Sequence, residues 1–129
     1  MAKTAKKALL IDDNPIDRFV HQRMLTHAQV VEEVESAQSG KEALSFLQTC
    51  IRNPEEAPDL ILLDLMMPEM DGFEFLKHYE IWLKKFSGPK PRLFMVSSTE
   101  DESDLSRARQ NPHIIRLLRK PLAVNLLLA

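Results

Sequence analysis

Short apolar runs along the chain alternate with longer segments in which apolar residues recur every three or four positions. A short run bounded by polar residues is typical of a buried strand, and the longer spacing is typical of an amphipathic helix. The pattern predicts five strands, at residues 8–11, 30–37, 60–65, 93–96 and 114–119.

A helix is predicted after each of these strands. Asn14-Pro15 supplies a capping side chain and a proline suited to a first helical position, and Ser39 with Glu42 forms a capping box for the second helix. The first helix has an apolar stripe that we expect to face the core, formed by Ile16, Phe19, Val20 and Met24. The predicted helices cover about 15–28, 40–50, 72–86, 104–110 and 122–128.

Alternating strands and helices predict an α/β fold, a doubly wound parallel sheet with right-handed crossovers and helices on both faces. The 129 residues fit one domain, 1–129, and we expect no output domain. In such sheets, ligands bind beyond the carboxyl ends of the strands, where the winding reverses. The residues that follow each strand are therefore the candidates for function.

Composition narrows the classes of function. The formal net charge is −2 and both signs are scattered, which leaves no basic patch for nucleic acid. A single cysteine excludes an internal disulfide, and no apolar run approaches the roughly 20 residues of a membrane span. We therefore expect a cytoplasmic protein with neither a nucleic-acid nor a membrane partner.

Acidic, hydroxyl and basic side chains lie at the carboxyl ends of the predicted strands. In chain order they are Asp12 and Asp13, Asp64, Ser97 and Lys120. A pair of like charges 4 Å apart repels by about 4 kcal/mol at an effective dielectric constant of 20, so the carboxylates need a cation. Oxygen ligands that leave room for water and phosphate oxygens suit Mg²⁺. A magnesium site is the prediction.

Phosphoryl transfer is the chemistry that this set of side chains favours. A carboxylate next to Mg²⁺ stays ionised and can attack phosphorus, which makes Asp64 a candidate nucleophile. Lys120 can neutralise one phosphoryl oxygen, and the hydroxyl of Ser97 can donate a hydrogen bond to another.

Four stretches of sequence resemble one known family, the receiver domains of two-component response regulators. The resemblance covers nearly the whole chain, and the chain is most similar in kind to single-domain members that resemble chemotaxis regulators. The resemblance implies a flavodoxin-like sheet with strand order 2-1-3-4-5. The stretches are LLIDDNP at 9–15, DLILLDLMMPEMDG at 59–72, VSS at 96–98 and RKP at 119–121.

The resemblance also implies a role for each site residue. Asp64 would be the phosphoacceptor, Asp13 a direct magnesium ligand, Asp12 a ligand mainly through water, and Met66 a ligand through its backbone carbonyl. Ser97 would be the switch hydroxyl and Lys120 the phosphate-binding lysine, with a cis Lys120-Pro121 bond.

A sensor histidine kinase or phosphotransfer protein is the implied phosphoryl donor, and an unknown downstream protein would bind the face formed by the fourth helix, fifth strand and last helix. A homodimer formed through the same face is an alternative. The chain is expected to be a phosphoacceptor and not an enzyme, apart from slow self-dephosphorylation. Met66 and Thr99 would tune the rate of that reaction. Leu117 stands where relatives often have an aromatic residue, so a rotating aromatic switch is not expected.

Two other functions fit the same residues. An aspartate-nucleophile phosphatase would use the same chemistry, but it commonly has a second acidic residue at the position of Met66. A binding module that no longer takes phosphate would not need the acidic pair. Taken singly, the motifs are also ordinary helix caps and turns. The histidines His21, His27, His78 and His113 are predicted to lie on the surface.

Overall fold

A five-stranded sheet forms the centre of the protein, whose computed structural model describes residues 5–123 and 125. The strands are β1 (Ala5–Ile11), β2 (Val31–Ala37), β3 (Leu60–Asp64), β4 (Arg92–Ser97) and β5 (Arg116–Arg119). The helices are α1 (Pro15–His27), α2 (Gly40–Cys50), α3 (Gly72–Lys85) and α4 (Glu102–Gln110), with a short 3-10 helix at Pro54–Glu56.

All neighbouring strands of the sheet run parallel, in the order β2-β1-β3-β4-β5. This order confirms the doubly wound, flavodoxin-like α/β fold. The register pairs Ile11 with Leu63, Asp64 with Val96 and Ser97 with Arg119. The carboxyl ends of β1, β3, β4 and β5 are therefore level, and the residues that follow these strands meet at one edge of the sheet.

Two apolar clusters cover the two faces of the sheet and hold β3 between them. Ile61 and Leu63 belong to the cluster under α2, α3 and α4, while Leu60 and Leu62 belong to the cluster that includes Leu25 of α1. Each fully buried aliphatic side chain contributes roughly 1.5–3 kcal/mol. Because β3 is packed from both faces, its last residue, Asp64, stands on a rigid support.

The apolar stripe predicted for α1 faces the core only at Met24, which is half-buried and packs against the core. Ile16 and Phe19 are 71% and 64% exposed, and Val20 is exposed as well. The buried residues of α1 are instead His21 and Leu25, which lie one turn apart. The sequence pattern selects the more hydrophobic stripe, whereas in the folded chain Leu25 packs in the core and Asp17 contacts Lys120 near the strand ends.

The carboxyl-terminal elements also differ from their prediction. β5 begins at Arg116, two residues later than predicted, although Ile115 N–H already donates to the Leu93 carbonyl (2.8 Å). The helix predicted at 122–128 falls largely on residues 124 and 126–129, which lie outside the described residues. Among the helices that the structure describes, none has the length and apolar character that a membrane crossing requires.

Candidate functional site

The carboxylates of Asp12, Asp13 and Asp64 come together at the carboxyl edge of the sheet. One oxygen of each lies within 4.8 Å of the others, so a single ion could contact all three. Asp12 and Asp64 are buried, while Asp13 is exposed. The ligand set is made only of oxygens and is open to solvent at Asp13, which fits Mg²⁺ with part of its water shell.

The environment of Asp64 opposes its negative charge. Burial, followed by repulsion from Asp12, raises the pKa of Asp64 to about 7, although Lys120 and a hydrogen bond from the Met66 backbone N–H act in the opposite direction. A divalent cation would counter both the repulsion and the burial. The electrostatics of the pocket therefore fit a positive ion.

Lys120 contacts three carboxylates from its position just after β5. Its Nζ donates to Asp17 Oδ2 at 2.7 Å and to Asp12 Oδ2 at 3.0 Å, and it lies 3.6 Å from Asp64 Oδ1. Burial disfavours the charged ammonium, but the hydrogen bonds with Asp17 and Asp12 outweigh burial and raise the pKa of Lys120. The ammonium is thus a permanent positive charge beside Asp64. The Lys120-Pro121 peptide bond is cis, as predicted.

Ser97 lies at the end of β4, and its side chain is buried. Its Oγ accepts a hydrogen bond from the backbone N–H of Thr99 (3.0 Å), and Thr99 Oγ1 donates to Asp104 Oδ2 of α4 (3.3 Å). β3 and β4 are adjacent, and Asp64 pairs with Val96 beside Ser97. A chain of polar contacts therefore leads from the strand edge to α4.

Met66, two residues after Asp64, has a side chain that is 59% exposed. Its backbone N–H is a hydrogen-bond donor to the Asp64 carboxylate. The role of its carbonyl as a metal ligand stays a prediction.

Gly72 allows α3 to begin directly against the end of β3. Its N–H donates to the Leu65 carbonyl (2.9 Å), and a Cβ built at residue 72 would lie 3.1 Å from both the Asp64 carbonyl oxygen and the Leu65 Cα. Both contacts are with backbone atoms, which cannot swing aside. A larger residue would push α3 away from the strand that supports Asp64.

Two residues of α1 next to the site were missed by the sequence analysis. Asp17 is hydrogen-bonded to Lys120, and His21, predicted to be a surface residue, is only 3% exposed. Burial, followed by the charge of Lys120, lowers the pKa of His21. The signal that could have found them is their spacing of four, which puts both on one face of α1; the other histidines have no such contact with the site.

Comparisons with known proteins agree with the fold and the acidic pocket. A family model described as the response regulator receiver domain matches residues 8–129, and the chain belongs to this family of two-component signalling proteins. An acidic triad of this kind is typical of the magnesium site in receiver domains.

Individual relatives support the same assignment. The chain is 35% identical over 118 residues to the two-component response regulator ORR1 of Oryza sativa subsp. japonica, covering 90% of this chain and 49% of that protein. It thus spans about half the length of this curated relative. Among solved structures, a response regulator receiver protein from Dyadobacter fermentans is 37% identical with a TM-score of 0.78, covering 95% of this chain and 92% of the other.

A third comparison concerns the ion. The receiver domain of the histidine kinase CKI1 from Arabidopsis thaliana, crystallised with Mg²⁺ and BeF3⁻, is 33% identical with a TM-score of 0.67, covering 79% of this chain and 72% of that chain.

Proposed function

We propose that this chain is a phosphorylation-dependent signalling switch in which Asp64 accepts a phosphoryl group from a sensor histidine kinase or a phosphotransfer protein. The observation that carries the proposal is the meeting of three carboxylates and the Lys120 ammonium at one edge of the sheet. The proposed setting is the cytoplasm.

In the proposed reaction, a carboxylate oxygen of Asp64 forms a bond to phosphorus while the bond from phosphorus to the donor histidine nitrogen breaks. The nitrogen keeps the electron pair of that bond. Asp12, Asp13 and Asp64, with the Met66 carbonyl, would hold Mg²⁺, whose positive charge would stabilise the phosphoryl oxygens. Lys120 would donate a hydrogen bond to one of these oxygens, and its contacts already place it close to Asp64.

The added phosphoryl group, with a charge of about −1.5 to −2, would act on α4 through Ser97. If the Ser97 hydroxyl turns to donate to the phosphoryl group, the contact that Ser97 makes with Thr99 changes, and Thr99 is bonded to Asp104 of α4. Only Ala108 of α4 is buried, so few apolar contacts resist a shift of this helix. We infer a shift between two populations of the α4–β5 face.

The α4–β5 face has a groove in which a downstream partner, or a second copy of the chain, could bind. The groove has a volume of about 450 Å³. Leu105, Ala108 and Leu117 are among its apolar residues. Leu117 is half-buried and packs on the core, and the proposed switch uses movement of α4 without a rotating aromatic side chain at this position.

The exposed stripe of α1 is the proposed docking surface for the kinase. Ile16, Phe19 and Val20 lie on consecutive turns and follow directly on Asp13 and the acidic pocket. Exposed apolar residues grouped in this way mark interaction sites. A helix of the donor could pack on this stripe, and the phosphorylated histidine on that helix would then lie close to Asp64.

If the kinase docks on α1, a change in the stripe should slow phosphotransfer from the kinase but not uptake from acetyl phosphate. Phe19→Asp should slow phosphotransfer at least tenfold from any histidine kinase that phosphorylates the wild type, because a charge in the apolar contact costs more than about 1.4 kcal/mol. Uptake from acetyl phosphate should stay the same. Ile81→Asp, a matched change at an exposed residue of α3, is the control. Equal transfer rates for Phe19→Asp and wild type would remove α1 from the docking surface.

The function itself is tested with the small donor acetyl phosphate. In Mg²⁺, intact-mass measurement should show one added phosphoryl group, and chelation of the metal should prevent its addition. Hydroxylamine, which cleaves acyl phosphates, should remove the group. A chain that gains no mass, or whose added group resists hydroxylamine, would not be an aspartyl phosphate switch. The decay of the added mass gives the rate of self-dephosphorylation, and Met66 and Thr99 are the residues expected to tune it.

A further inference from the structure

Asp17 of α1 shares the Lys120 ammonium with the acidic pocket. The 2.7 Å contact with Asp17 is the shortest that Lys120 makes to a carboxylate, while the contact with the phosphoacceptor Asp64 is 3.6 Å, outside hydrogen-bond distance. The side chain of Lys120 is 17% exposed and that of Asp17 is 34% exposed. The ion pair therefore lies at the border between the pocket and solvent.

Asp17 has no part in the proposed metal site. The carboxylates that could contact one ion are those of Asp12, Asp13 and Asp64. The contact that the structure describes for the Asp17 carboxylate is with Lys120. The direct contact of Asp17 with the site is therefore the one with that ammonium.

An incoming phosphoryl group needs the same ammonium. Charge-assisted hydrogen bonds from nitrogen to oxygen are about 2.7–2.9 Å long, and Asp17 already holds the Lys120 ammonium in such a contact at 2.7 Å. A phosphoryl oxygen that binds the ammonium therefore competes with the Asp17 carboxylate. In the resting protein, the negative charge of Asp17 also offsets part of the positive charge that the phosphoryl oxygens would meet.

We propose that Asp17 is a positioning residue that retains Lys120 in the resting state and competes with the phosphoryl group for its ammonium. The inference rests on the proposed function of Asp64. It assigns to α1 an electrostatic control over how favourable the phosphorylated state is. Removal of the Asp17 charge should therefore favour that state.

The test uses beryllofluoride with Mg²⁺ as a mimic of the phosphoryl group. Asp17→Asn keeps the shape of the side chain and removes its charge. The variant should bind beryllofluoride roughly two- to fivefold more tightly than the wild type, the range expected for loss of one ion pair at the border with solvent. Asp17→Glu, which keeps the charge, should stay within about twofold of the wild type. Titrations followed by NMR or calorimetry give these affinities.

Two controls separate competition for Lys120 from other effects. Glu55→Gln removes one charge from an exposed residue of the 3-10 helix and should leave the affinity unchanged. In a Lys120→Met background there is no ammonium to retain, so Asp17→Asn should change the affinity by less than about twofold. A simple change in net charge would persist in that background.

Equal or weaker binding by Asp17→Asn would overturn the proposed competition, as would an undiminished effect in the Lys120→Met background. Failure of the proposed function has a different signature, because the wild type itself would then bind no beryllofluoride and gain no mass with acetyl phosphate. Circular dichroism confirms beforehand that each variant is folded.

Discussion

Asp64→Asn is expected to abolish phosphoryl uptake from acetyl phosphate. The amide is nearly the same size as the carboxylate, but it lacks the negative oxygen that attacks phosphorus. Asp64 lies at the end of a strand packed from both faces, so the substitution should leave the arrangement of the strand ends unchanged. Intact-mass measurement in Mg²⁺ should show one added group on the wild type and none on the variant.

Asp71→Asn is the matched control for this experiment. The Asp71 side chain caps α3 by accepting a hydrogen bond from the Glu74 N–H (2.9 Å), and asparagine is an equally good cap. This variant should take up phosphate as the wild type does. Full uptake by Asp64→Asn would place the acceptor elsewhere and contradict the proposed function.

The metal-free protein is expected to lose stability as the pH rises from about 4 to 7, through the titration of Asp64. The pKa of Asp64 is raised from 3.8 to about 7 in the folded protein, mainly by burial, so the folded state binds this proton more tightly than the unfolded state. The stabilising contribution of this bound proton to the free energy of unfolding is fully present below pH 3.8 and is lost as the pH passes about 7. A shift of this size corresponds to at most roughly 4 kcal/mol in the free energy of unfolding.

Urea unfolding in EDTA at several pH values measures this loss. Other groups also titrate, so the quantity of interest is the difference between the wild type and Asp64→Asn. The variant should be the more stable protein at pH 8, and the difference should shrink toward pH 4. Mg²⁺ should restore stability to the wild type at pH 8, because an ion that binds only the folded state stabilises it. Parallel pH profiles for the two proteins would contradict the raised pKa.

Local features of the fold were predictable because they depend on neighbouring residues. Asn14 and Ser39 each cap a helix through their own side chain, as predicted, and such caps can be read from a few positions. The apolar run in β3 is short, continuous and bounded by acidic residues, so its burial was also evident. Bounds were less accurate at β5, where Ile114 and Ile115 continue the apolar pattern but precede the strand.

The direction in which α1 faces was not predictable from hydrophobic spacing. The spacing favours Ile16, Phe19 and Val20 as the inner face, yet these residues are exposed. Asp17 lies toward the pocket, where it is hydrogen-bonded to Lys120, a residue distant in sequence, and His21 lies one turn further along the same face. Only the folded chain brings the Lys120 ammonium next to α1.

The sequence by itself determined the order of strands and helices, the helix caps and the placement of Asp12, Asp13, Asp64, Ser97 and Lys120 at strand ends. These are consequences of local periodicity and of parallel pairing, in which all carboxyl ends meet at one edge. The tertiary structure alone decided that Asp17 shares the ammonium of Lys120, that His21 is buried and that the apolar stripe of α1 faces outward. Charges attract through space rather than along the chain, so the distances between these groups exist only after the sheet has formed.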